Sequence, residues 1–259
     1  MFPIKDNIPT ENFPVVTVLL IVANVLAYFL FQHGTFTFGD PSSSQYVHNL
    51  WDYAYIPREL THGVQCQPVE SINAVHCTHA KTGLPALYIT VFTSMFMHGG
   101  LLHLGGNMLF LWIFGNNVED SMGPVKFVVF YLLGGLAATA GQTLVDPNAA
   151  VPNIGASGAV AGVLGGYLLL FPRARVVTVI FIIFFFTIVE LPAMFFLAIW
   201  IGEQILFGYL GLTSGTGNGG GGVAYFAHIG GFAFGLLAIK LFASERKRQR
   251  QIQRVGGLT

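Results

Sequence analysis

Asn153-Ile154-Gly155-Ala156-Ser157-Gly158-Ala159-Val160-Ala161-Gly162 is a glycine-rich turn that runs straight into an apolar helix. A single serine among small residues is ordinary in a membrane helix, where small side chains let neighbouring backbones approach. Two further stretches change that meaning. Upstream, His98-Gly99-Gly100-Leu101-Leu102-His103-Leu104-Gly105-Gly106-Asn107 sets three polar side chains where another apolar segment begins. Downstream, Ala227-His228-Ile229-Gly230-Gly231-Phe232-Ala233-Phe234-Gly235 does the same with one histidine. A nucleophile, a base and a set of donors, each opening a different apolar segment, are the parts that hydrolytic chemistry inside a bilayer needs.

The chain around these stretches is built for a membrane. Of its 259 residues 9% are charged and 53% hydrophobic, with a mean hydropathy of +0.64; soluble domains carry roughly a quarter charged residues. An all-α polytopic membrane protein is expected. The formal net charge is zero, which offers nucleic acid no basic footprint. The first apolar stretch, Pro14 to Phe31, is long enough to span and lacks a small-residue cleavage site after it, so it reads as a retained helix.

A crossing helix needs about 20 mostly apolar residues. Residues 1–13 then form a polar lead, and 14–243 a domain of six spans at about 14–32, 101–119, 125–145, 157–171, 191–210 and 223–242. A long first loop fills 33–100, and 244–259 is a basic tail. The stretch Val176 to Val189 is short for a crossing and rich in β-branched and aromatic residues. It is read as an embedded or interfacial segment ahead of a single span that Pro192 opens at its first turn. Lys and Arg collect on the cytoplasmic side. Arg173, Arg175 and the tail from Glu245 to Arg250 therefore place both termini inside and the long loop, with only Arg58 and Lys81 as basic residues, outside. Six spans bring Ser157 and His228 to the same face; a seventh would separate them.

A serine hydroxyl needs a base to take its proton, and His228 is the candidate. Gly158, Gly162 and Gly166 recur on one side of the fourth span, while Gly231 and Gly235 share a face with His228. Such faces let two backbones come close. His103 and Asn107, spaced i and i+4, project from one face and can both donate to an oxyanion, as can backbone N–H groups at the helix start after Gly155. His98 precedes its helix and would shape the cavity or hold water. No Asp or Glu is placed to orient His228, so a Ser–His dyad is expected.

In these motifs, His98-x4-His103-x3-Asn107, Gly155-Ala156-Ser157-Gly158 and Ala227-His228-x2-Gly231-x3-Gly235, the chain resembles the rhomboid family of intramembrane serine proteases from Pro14 to Phe242. The resemblance implies a six-transmembrane-helix rhomboid-like bundle, Ser157 as nucleophile, His228 as base, and an oxyanion site from His103, Asn107 and the Ser157 N–H. It also implies cleavage of transmembrane protein substrates, with small residues at the scissile site, and no cofactor or metal. Two features depart from some members. Tyr88-Ile89-Thr90-Val91-Phe92-Thr93-Ser94 lacks a Trp-Arg pair, and Ala161 stands where an aromatic residue stacks on the base.

The expected location is a bacterial plasma membrane. Glu119, Glu190 and Glu203 are expected to serve structural hydrogen bonds, the tail to contact anionic lipid, and the glycine-rich stretch Gly211 to Gly222 to be a mobile cover beside the fifth span, the expected substrate entrance. Cys66 and Cys77 share one polar loop with His62, His76 and His79; a disulfide, two free thiols and a metal site all remain open. A client-binding relative without activity and a transporter are the rival readings. The first would be expected to lack Ser157 or His228, and the second to show inverted repeats.

Overall fold

The computed structural model describes residues 2–36, 43–69, 74–79, 87–182, 185–213 and 223–256. Residues 2–6 form strand β1 (Phe2–Asp6), and the first apolar stretch forms α1 (Val15–Leu26), continued by a π-helical turn at Ala27–Phe31. The long loop is built rather than irregular: α2 (Ser44–Tyr53), α3 (Pro57–His62), the antiparallel pair β2 (Val64–Val69) and β3 (Ala74–His79), then α4 (Leu87–Thr93). Next come α5 (Leu101–Phe110), a π-helical turn, α6 (Asn116–Met122), α7 (Pro124–Val145) and α8 (Ser157–Leu170). The chain ends with β4 (Arg175–Ile182), β5 (Phe185–Pro192), α9 (Ala193–Thr213), α10 (Tyr225–Phe242) and α11 (Glu245–Gly256).

Among the described residues α7, α9 and α10 are long and apolar enough to cross a bilayer, and the segment from Leu87 to Met122, bent by 81°, is a fourth candidate. α1 with its π-helical turn and α8 are shorter apolar helices. The architecture is mostly helical but not all-α, which corrects the sequence reading. Two sheets are the cause: besides β2–β3, the described residues of Val176 to Val189 belong to the antiparallel pair β4–β5, in register from Arg175 opposite Pro192 to Ile182 opposite Phe185. Its β-branched run, Val176-Val177-Thr178-Val179-Ile180, suits a pleated surface better than a helix. β1 completes the sheet by pairing with β4, Phe2 opposite Val179 and Asp6 opposite Val176, so the polar lead is structured as well. Pro192 closes β5 instead of opening the fifth helix. The expected cover at Gly211 to Gly222 lies outside the described residues from 214 onward, as does Lys81.

In the long first loop Cys66 and Cys77 form a disulfide across β2 and β3. Both thiols are thereby withdrawn from any metal set with the nearby histidines. Glu59 anchors the hairpin by accepting from the Cys66 N–H (2.8 Å). The loop in turn grips the segment ahead of Ser157: Asn153 N–H donates to Tyr55 C=O (2.7 Å), and Arg58 N–H to Ala149 C=O (3.0 Å).

α1 starts at Pro14 without a side-chain cap of its own. The buried Glu119 of α6 supplies one, accepting from Val16 N–H (3.0 Å), Thr17 N–H (2.7 Å) and Thr17 Oγ1 (2.8 Å). These are free donors of a helix N-terminus, met here by a carboxylate from another helix. Glu119→Ala strands them in the interior and is expected to destabilise by about 2–4 kcal/mol, while Glu119→Gln, which keeps one acceptor, costs about half as much. Thermal unfolding in detergent checks this; equal midpoints for wild type and Glu119→Ala would refute it. Glu190 instead pairs with Arg175 (3.2 Å) at the root of the hairpin, exposed to solvent, and Glu203 is exposed on α9.

Two carboxyls outside the candidate spans are held protonated into the neutral range. Burial lifts Glu59 from 4.5 to about 7, against the Cys66 N–H and with a smaller push from Asp52. Burial likewise lifts Asp6 from 3.8 to about 7, against its bonds to Tyr167 and Asn117. Each folded group keeps a proton that the unfolded chain releases, so stability is greatest below the unfolded values and falls as pH rises toward 7. The unfolding midpoint is expected to drop between pH 5 and pH 8, and Glu59→Gln to flatten that slope. A midpoint that rises over this interval would contradict the assignment.

Candidate active site

Four helices supply the site. Ser157 is the first residue of α8, reached through Gly155, whose φ of +128° favours glycine. A Cβ there would also stand 2.8 Å from His103 Nε2 and 3.3 Å from Ser157 Oγ, so the histidine and the serine lie on the two sides of this glycine. Gly155 N–H donates to Ser94 C=O (2.9 Å), fixing the turn to the segment that precedes His98.

α8 and α10 meet backbone to backbone. A Cβ on Gly231 would come within 2.0 Å of Gly158 O, and one on Gly235 within 2.0 Å of Gly162 O. The approach brings His228 Nε2 to 2.7 Å from Ser157 Oγ, within reach for proton transfer. Gly158, Gly231 and Gly235 thus sit at the contact the glycine spacing suggested.

α5 presents His103 and Asn107 to the same cavity of about 690 Å³, which Ser157, Trp200 and His228 also line. Gly99 N–H donates to His103 Nδ1 (3.2 Å), so the proton of the neutral ring is on Nε2, the nitrogen facing Gly155 and the serine. Asn107 Nδ2 is buried without a hydrogen-bond partner among the described residues, a donor left open beside the cavity. His98 is fully buried behind His103, the ring centroids 5.2 Å apart. Its backbone is gripped by Gln32, which accepts from the N–H (2.7 Å) and donates to the C=O (3.2 Å), and by Tyr46 OH (2.9 Å). Its ring lies against His103 and outside the serine–histidine contact.

Two residues of the site were not expected from the sequence, both on α9. Gln204 Oε1 lies 2.7 Å from His228 Nδ1, and the Trp200 ring covers the imidazole at a centroid separation of 5.8 Å. Their spacing of four was a visible signal, but α9 is apolar nearly all round and its inward face is set by packing. Position 161, where the sequence has no aromatic residue, is buried Ala161 in α8. The small Ala161 leaves room for α10, its Cβ 3.4 Å from where a Cβ on Gly231 would be.

Residues 85–245 match the family model described as Rhomboid domain. The chain is 30% identical over 174 residues to Rhomboid protein 1, mitochondrial, of Saccharomyces cerevisiae, covering 65% of this chain and 46% of that protein. It is 32% identical over 166 residues to RHOMBOID-like protein 12, mitochondrial, of Arabidopsis thaliana (58% and 45%), and 36% identical over 78 residues to Rhomboid protease GluP of Bacillus subtilis (30% and 15%). The matches thus span less than half the length of these relatives. Together with the long apolar helices they identify an integral membrane protein, and the chain belongs to the rhomboid family.

Proposed function

We propose that the chain is an intramembrane serine endopeptidase that cleaves transmembrane segments of other membrane proteins. Ser157 Oγ attacks the scissile carbonyl carbon as His228 Nε2 takes the hydroxyl proton. The oxyanion is held by His103 Nε2–H, Asn107 Nδ2–H and the Ser157 N–H, each such donor typically worth about 2.7–4 kcal/mol in the transition state. Collapse breaks the C–N bond as His228 returns the proton to the leaving amine, and water then hydrolyses the acyl-enzyme with the same base. No step calls on a cofactor or metal. The 2.7 Å contact between His228 and Ser157 carries this reading, supported by the open Asn107 donor.

The six apolar helices, α1, α5–α6, α7, α8, α9 and α10, are proposed to be the six spans of the 14–243 domain, with membrane lipid around them and both termini on the cytoplasmic side. The disulfide in the outer loop favours an oxidising compartment on the side of the site, and Arg173, Arg175 and the tail favour the opposite side for the termini. The mitochondrial names among the relatives lend no support to the bacterial plasma membrane expected from the sequence, so the proposal is confined to an integral membrane location. The test is cleavage of a fluorescent transmembrane reporter by purified protein in detergent, wild type against Ser157→Ala and His228→Ala. Cleavage that survives Ser157→Ala would end this mechanism; a folded wild type that cleaves no reporter would favour an inactive client-binding relative.

A further inference from the structure

His228 is oriented by more than its contact with the serine. We propose that Gln204 is a positioning residue that fixes the tautomer and plane of the His228 ring, an inference that rests on His228 being the base. The amide's own bonds decide its direction. Gln204 Nε2 donates to Trp200 C=O (3.2 Å) one turn back on α9, which leaves Oε1 toward His228 Nδ1 at 2.7 Å. A flipped amide would set two oxygens against each other at Trp200. Oε1 can only accept, so Nδ1 carries the ring proton and the Nε2 lone pair faces Ser157 Oγ. That is the tautomer a base needs. Trp200 restrains the ring over one face while Gln204 holds its edge.

A carboxylate would bind the imidazolium more strongly, as in a Ser-His-Asp triad. At membrane depth, however, a lone buried charge is expensive, and Gln204 is buried. A neutral amide provides the acceptor without that charge, so α9 completes an uncharged counterpart of the triad.

The test compares Gln204→Met, which keeps nearly the same shape but has no acceptor, with Gln204→Glu, which keeps the acceptor oxygen. Reporter cleavage and the rate of Ser157 labelling by a fluorophosphonate are both measured, with Ser157→Ala and His228→Ala alongside. Gln204→Met is expected to lower kcat and labelling about 10- to 100-fold with KM near wild type, the range for losing a hydrogen bond to a group that becomes charged. Gln204→Glu is expected to stay well above the methionine variant. Wild-type kcat in Gln204→Met, or an equal loss in both variants, would overturn the proposal. If Gln204→Met misfolds, the ¹⁵N chemical shifts of the His228 ring in the wild-type protein decide: a proton on Nδ1 is expected, and a proton on Nε2 would overturn the proposal. Cleavage persisting in Ser157→Ala or His228→Ala would instead overturn the dyad on which the inference rests.

Discussion

Ser157→Ala, His228→Ala and the double variant are expected to lose nearly the same activity, on the order of 10⁴-fold or more in kcat. In the proposed mechanism the two side chains perform one act. The hydroxyl becomes a nucleophile only as its proton moves along the 2.7 Å contact to Nε2. With either partner gone there is nothing left for the other to do, and removing both subtracts little more. What remains would come from the donors at His103 and Asn107 and from holding the substrate in the cavity. Rates of reporter cleavage for the three variants, at matched protein folding, make the measurement. Losses that multiply in the double variant would mean that serine and histidine act independently, and the proton-transfer mechanism would be wrong.

The second large effect is expected at a residue with no chemistry. Gly235→Val drives a side chain into backbone: its Cβ would stand 2.0 Å from Gly162 O and 2.8 Å from both Gly162 C and Gly166 N. No rotamer relieves a clash with main chain, so α8 and α10 must part. Overpacking of this kind costs about 1–3 kcal/mol and sometimes more, and a shift near 1 Å at a reacting pair costs roughly 100-fold in rate. The variant is therefore expected to melt earlier and, where it remains folded, to cleave at about 1% of the wild-type rate. Gly202→Ala is the control, since a Cβ there meets nothing within 4 Å. If Gly235→Val matched that control in both melting and cleavage, the close helix contact could not be what holds Ser157 against His228.

Much of the site was legible because its signals are local. His103 and Asn107 lie one helical turn apart, so their shared face follows from spacing alone. Gly155 precedes Ser157 in a turn, and the glycines of α8 and α10 repeat every four residues, which marks the sides that can touch. Polar side chains are scarce in apolar segments, so those at 98, 103, 107, 157 and 228 stood out without knowledge of the fold.

What depended on distant parts of the chain was not legible. The run from Val176 to Val189 is equally apolar as a helix or a strand, and its pairing within β4–β5, completed by residues 2–6 some 170 positions away, commits it to a sheet. Hydropathy could not show that the long first loop would grip Asn153 through Tyr55, or that Glu119 would cap α1. Nor could it select the face of α9 that meets the imidazole.

The sequence by itself determined the membrane setting, the family motifs and the residues to consider, because composition and helical spacing act over a few turns. The tertiary structure alone decided the β-hairpin, the disulfide, the cap from Glu119 and the place of Gln204 and Trp200 at His228. Each of these joins groups on different secondary-structure elements, and a helix apolar on all sides learns which face is buried only from the neighbours packed against it.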